Sequence, residues 1–187
     1  MRHYWQNTGL CRASARDGGR YTRIAYERNK TEDDMSDIMN GLLYINERDV
    51  WIDFGAWLAE EKEGDTKNYS ALQKPPAVKS HVAVSFREQD GEKLPEKLVQ
   101  RWEPRDISLK FAVAAADEAS FAARRDAFIS FLKKGIDGWL DMRVPELGKT
   151  YRIHYKDCSD FECLEDIGGG MVAALFTVKF REPKPEF

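Results

Sequence analysis

Residues 104–183 form one uninterrupted block whose order of patterns leaves few folds open. It starts with a period-two run, in which Ile107, Leu109, Phe111 and Val113 alternate with Ser108, Lys110 and Ala112. That is the signature of a strand with one buried face. An amphipathic helix follows. Asp117 is placed to N-cap it, Glu118 faces the positive end of its dipole, and Phe121, Phe128 and Leu132 form one apolar stripe with Ala122 and Ile129. Arg124, Arg125 and Asp126 fall on or near the opposite side. Lys133 and Lys134 close the helix, and Gly135 is expected to stop it in the αL conformation. Strands are predicted over residues 138–144 and 150–155 with a turn at 145–148, then an acidic loop and a turn at Gly168-Gly169-Gly170. The last strand spans 171–181, with Val172, Ala174, Phe176, Val178 and Phe180 on one face. Pro183 ends its ladder, because proline has no N–H to donate.

Upstream, a short apolar run (Leu42, Leu43, Tyr44, Ile45) precedes a turn over residues 46–49. Val50, Ile52 and Phe54 alternate with Trp51, Asp53 and Gly55, which predicts a strand or a bent extended segment. The charged stretch 60–68 reads as a mobile loop. Lys74-Pro75-Pro76 cannot lie in a central strand. Val78, Ser80, Val82, Val84 and Phe86 lie on one side of a further period-two run, opposite Lys79, His81, Ala83 and Ser85, and predict a half-buried strand. Asp90-Gly91 marks a turn. The expected architecture is α+β and mainly β: at least six strands in an antiparallel sandwich or barrel, with one flanking α-helix.

The first 30 residues carry seven basic side chains against Asp17 and Glu27, whereas the whole chain has a net charge of -3. The segment 1–38 is therefore expected to be a poorly structured basic arm, or a non-native extension upstream of a start at Met35 or Met39, and 39–187 a single β domain. No stretch is apolar enough to span a membrane and no secretory leader is readable. An odd cysteine count (Cys11, Cys158, Cys163) argues against a disulfide framework.

Tests for chemistry come out negative, and neither an enzyme nor a cofactor is expected. His3, His81 and His154 are isolated and read as surface histidines. His154, Asp157, Cys158, Asp160, Glu162 and Cys163 could be taken for a metal site, but Cys-x4-Cys is not a zinc-knuckle spacing and no calcium-loop pattern is present. No metal ligand is assigned, and the run is read as a solvated hairpin loop. Gly168-Gly169-Gly170 precedes a strand, not a helix, so it is not a phosphate loop. Ser120 and Ser130 have no nucleophile elbow around them. The carboxylate pairs Asp33/Asp34 and Glu60/Glu61 are expected to be solvated with ordinary pKa values. Trp51, Trp57, Trp102 and Trp139 could stack single-stranded nucleic acid, but they alternate with acids in an acidic domain, so packing is the expected use.

The layout over residues 42–182 resembles distal tail proteins of long non-contractile phage tails, especially forms from phages and prophages of Bacteroides-type bacteria. The resemblance rests on Leu43-Tyr44-Ile45-Asn46 with Asp49, Phe54-Gly55, Tyr69-Ser70-Ala71-Leu72 with Pro75-Pro76, and Asp90-Gly91. It continues through residues 105–111, the helix at 121–132, Tyr151-Arg152-Ile153 with Tyr155, and the closing stretch 176–183. It implies a virion structural protein, assembled in the bacterial cytoplasm, whose homo-hexameric ring joins the tail tube to the tail-tip or baseplate hub. The partners would be further copies, the tube protein and the hub protein, with DNA passing through the channel and no specific nucleic-acid or membrane binding. Related folds leave two alternatives open: a tail tube or tail terminator subunit, and a carbohydrate- or protein-binding β-sandwich module using Trp51, Trp57 or Trp102.

Overall fold

The computed structural model describes residues 39–60, 65–164 and 171–186. The basic segment 1–38 and the Gly168-Gly169-Gly170 turn lie outside them. The strands are β1 (Tyr44–Ile45), β2 (Arg48–Asp49), β3 (Ala56–Leu58), β4 (Arg105–Ala115), β5 (Leu140–Val144), β6 (Lys149–Leu164) and β7 (Val172–Glu182). The described helices are α1 (Val50–Phe54), α2 (Lys67–Gln73) and α3 (Glu118–Lys134). All seven strands join in one curled antiparallel sheet, a half-barrel of order β2-β1-β5-β6-β7-β4-β3. The mainly β expectation is met, with two helices beyond the single one predicted.

Two ladders carry the sheet. β4 and β7 pair over their full length, from Arg105 opposite Glu182 to Ala115 opposite Val172. β6 joins the two halves: its first five residues pair with β5, and the remainder pairs with β7 through two register shifts. The acidic run is thus part of a long strand, not the predicted hairpin loop. The shifts, with Asp160 at φ 56, accommodate residues that a regular ladder would not.

α3 lies across the sheet and forms as its sequence dictates. The Asp117 carboxylate accepts from the Ser120 N–H at 2.9 Å, and Phe121, Phe128 and Leu132 are buried. Gly135 ends the helix at φ 52, ψ -151, outside the αL region expected. A Cβ there would sit 2.4 Å from the Trp139 carbonyl oxygen, so glycine is required by space as well as by φ. The Phe128 ring, fully buried, packs against Phe54, Phe111 and Phe176 with centroids 5.4–6.2 Å apart. Full burial of such a ring contributes about 2–3 kcal/mol.

Residues 50–54 correct the predicted strand. They form α1, because the Asp49 carboxylate accepts from Trp51 N–H (2.9 Å) and Ile52 N–H (3.1 Å) and Gly55 stops the turn at φ 61. Val50, Trp51 and Phe54 are buried while Ile52 faces solvent, a helical and not a period-two pattern. A second apolar cluster covers the other face of the sheet, where Trp51 and Trp57 meet edge to face at 5.6 Å above Ala112, Ala114, Ala173 and Leu175.

Candidate assembly surface

Between α2 and β4 the chain leaves the sheet. Val78 to Phe86, predicted as a half-buried strand, instead form the outgoing branch of a long arm, residues 77–103, that turns near Gly91 and comes back. Its branches are held at few points. Lys79 N–H donates to the Arg101 carbonyl and Glu103 N–H to the Ala77 carbonyl, both at 2.7 Å. Val84 and Lys93 exchange bonds of 3.1 and 2.9 Å. The isolated bridges Val78–Trp102 and Val84–Lys93 enclose unequal lengths, so the returning branch, which carries Pro95, bulges. The period-two pattern is present as read, but none of residues 78–86 is buried.

Eight of the eleven large apolar side chains exposed among the described residues belong to this arm. On the outgoing branch they are Val78, Val82, Val84 and Phe86, with Val82 84% exposed; the returning branch adds Leu94, Leu98, Val99 and Trp102. Residues 77–103 carry five basic and five acidic residues, a net charge of zero. An arm with no net charge offers phosphates little overall electrostatic attraction, and exposed apolar side chains gathered on one segment suit contact with another macromolecular surface.

The arm is bare but its root is tightly held. α2 begins on the carboxylate of Glu60, which accepts from Lys67 N–H at 3.0 Å and Asn68 N–H at 2.9 Å. Asn68, 2% exposed, donates to the carbonyls of Ala59 (2.7 Å) and Lys110 (3.1 Å) and accepts from Lys110 N–H (2.8 Å). Its side chain so closes the part of β4 that β3 leaves unpaired. The Tyr69 hydroxyl donates to Glu146 at 2.7 Å. The stretch 60–68 was expected to be a mobile loop; at both of its ends the structure has buried, hydrogen-bonded side chains, and 61–64 lie outside the described residues. After α2, Lys74 turns extended (ψ 126) and Pro75-Pro76 lead the chain out.

Glu60 also departs from the ordinary carboxylate that was expected. Burial pushes its pKa up, two backbone N–H bonds from Asn68 and Lys67 pull it down, and the nearby Asp65 charge adds to the rise, for a net increase from 4.5. The folded protein therefore holds this proton more tightly than the unfolded chain does. The stabilising contribution is complete below the ordinary value and falls as pH rises through the raised one. As pH rises from below the ordinary carboxylate range through the raised value, the stability of the parent relative to Glu60→Gln is expected to fall. Denaturant titrations of both proteins check this, and a difference that stays flat with pH would contradict it.

The sheet's own edges are poor docking sites. The outer strands β2 and β3 are two and three residues long. No described strand pairs with the β5-facing side of β6 beyond Ile153; that side is broken by the register shifts and carries Asp157, Asp160 and Glu162. Short, bulged, charged edges resist further pairing.

The other candidate residues are scattered. Among the described residues no three His, Cys, Asp or Glu side chains gather as a metal site, and no helix is long and apolar enough to cross a membrane. His154 stands edge-on to Trp139 at 6.0 Å, and His81 lies on the arm. Cys158 is a free thiol whose pKa is raised by burial and by the charges of Asp157 and Asp160. The Ser120 hydroxyl donates to Asp117 as part of the cap, and Ser130 is exposed. Trp51 and Trp57 are buried and cannot serve as contact residues of a glycan or nucleic-acid platform, whereas Trp102, 40% exposed, is on the arm. His3, Asp33, Asp34 and Glu61 lie outside the described residues.

No protein-family model and no curated protein matches the chain. A solved structure with a similar course is that of the SPP1 Dit (gp 19.1) protein, described as a paradigm of the hub adsorption apparatus in phages that infect Gram-positive bacteria. The match has 12% sequence identity and a TM-score of 0.47 and covers 76% of this chain. The chain spans 50% of that protein's length.

Proposed function

We propose that this protein is a structural subunit of a phage tail whose residues 39–187 form a single ring-building domain, with no catalytic role. The ring, hexameric on this reading, joins the tail tube to the tail-tip hub in the virion. The sequence resemblance supplies the setting, and one structural observation supports the mode of assembly: a neutral arm with an exposed apolar face, rooted beside a sheet whose edges are blunted. On this reading each arm lies on the next copy, a head-to-tail contact that closes into a ring when the rotation allows. The sheet edges contribute little, which departs from the simplest picture of strands pairing across copies.

Light scattering over a wide concentration range, with images of the heaviest fraction, tests the proposal. The parent is expected to give closed rings. The double variant Val82→Asp/Phe86→Asp is expected to stay monomeric with little change in the unfolding midpoint, since Val82 is 84% and Phe86 45% exposed on an arm outside the core. A parent that remains monomeric at the highest concentration would count against the proposal, as would a variant that assembles as well as the parent. Unlimited filaments in place of rings would favour a tube subunit.

A further inference from the structure

We propose that Arg105 and Glu182 form a clamp that sets the direction of the arm before it docks; this rests on the assembly role given to the arm above. Arg105 opens β4 directly opposite Glu182, which closes β7. Their side chains pair at 2.5 Å (Nε to Oε2) and are only 11% and 5% exposed. The guanidinium then reaches back to the end of α2, where Nη2 donates to the Leu72 carbonyl at 3.2 Å and Nη1 to the Lys74 carbonyl. Lys74 is where the arm departs and Arg105 is where it returns. One side chain therefore ties both ends of the arm to each other and to the central ladder of the sheet.

The chemistry suits this task better than it suits stability. A buried ion pair loses so much hydration that well-packed apolar side chains hold a fold as well or better. What a planar guanidinium adds is direction: several donors in a fixed fork, satisfied together by the end of β7 and two carbonyls at the end of α2. Lysine offers a single flexible ammonium and cannot span the same three acceptors. The guanidinium also lies over the Tyr151 ring at 5.9 Å, so its remaining face is packed. With Pro75-Pro76 stiffening the exit and Pro104 the return, a fixed root gives a fixed arm. An arm held in its docked direction avoids part of the ordering cost of association. Arg105 and Glu182 are thus positioning residues and need not touch the partner.

The test measures arm direction in the dilute, unassembled full-length protein. Spin labels go on Gln89→Cys at the arm tip and Ser130→Cys on α3, with Cys11, Cys158 and Cys163 changed to serine. The parent is expected to give one narrow distance distribution. The charge-free pair Arg105→Met/Glu182→Leu is expected to keep the unfolding midpoint, broaden the distribution, and weaken self-association by about tenfold. Arg105→Lys, which keeps the charge, is expected to broaden it as well and decides the matter if the pair variant does not fold. A parent distribution that is already broad, or a folded variant with the parent's narrow one, overturns the clamp. A narrow parent distribution in a protein that never assembles would leave the clamp standing and remove the assembly role instead.

Discussion

Phe128→Ala is expected to lower the stability of the fold by about 4 kcal/mol, within the range measured for buried Phe→Ala changes. The ring is completely buried and touches the three rings that join α3 to α1, β4 and β7. Its removal takes away both the transfer free energy of the ring and the contacts of the side chains around the void. Phe111 and Phe176 sit on paired strands and cannot move inward without disturbing the ladder, so collapse is limited. Against a total of about 5–15 kcal/mol for a domain of this size, the loss leaves the protein marginal at ordinary temperature. Denaturant unfolding checks it, read as a lower midpoint at an unchanged slope. A loss below about 1.5 kcal/mol would mean that α3 resettles and that the aromatic cluster is less constrained than its geometry implies.

Asn68→Asp, one atom different, is expected to cost about 3 kcal/mol near neutral pH. The amide nitrogen donates to two carbonyls, those of Ala59 and Lys110. A carboxylate cannot donate, so both acceptors would face a buried negative charge, and Glu60 already caps the same turn. The penalty is expected to shrink as pH falls toward about 4, where the carboxyl takes up a proton and can donate one of the lost bonds. The measurement is a paired set of unfolding curves at the two pH values, with hydrogen exchange of the α2 amides. A cost below about 1 kcal/mol at neutral pH would show that α2 is held by its apolar contacts and not by the amide.

What was legible in the sequence depended on whether a pattern named its own partner. β4, α3 and β7 were readable because their apolar periods and the cap at Asp117 are local, and the core that satisfies them is built from these same elements. α1 was misread because Val50, Ile52 and Phe54 fit a period of two, while Val50 and Phe54 fit a helix equally; the Asp49 cap and the Gly55 stop decide in favour of the helix. The acidic half of β6 was hidden because only its register shifts let those residues stay in a ladder. Asn68 carried no signal at all, since its acceptors include a strand residue 42 positions away. In the arm the alternation was read correctly, and the error lay in assigning the buried face to this chain's own core.

The order in which the chain is made gives the placement of Glu182 a further consequence. Residues 77–103 are synthesised long before β7, yet the one carboxylate among the three acceptors of Arg105 is the final residue of that strand, while the Leu72 and Lys74 carbonyls are made first. Early in synthesis the arm therefore has its apolar side chains but an incomplete root. Zipping β4 to β7 closes a loop of more than fifty residues, a slow step compared with forming α3. Only when that ladder has reached its last pair is the root complete. On the proposed assembly, folding thus acts as a timer: copies with an unfinished sheet lack a complete root for the arm.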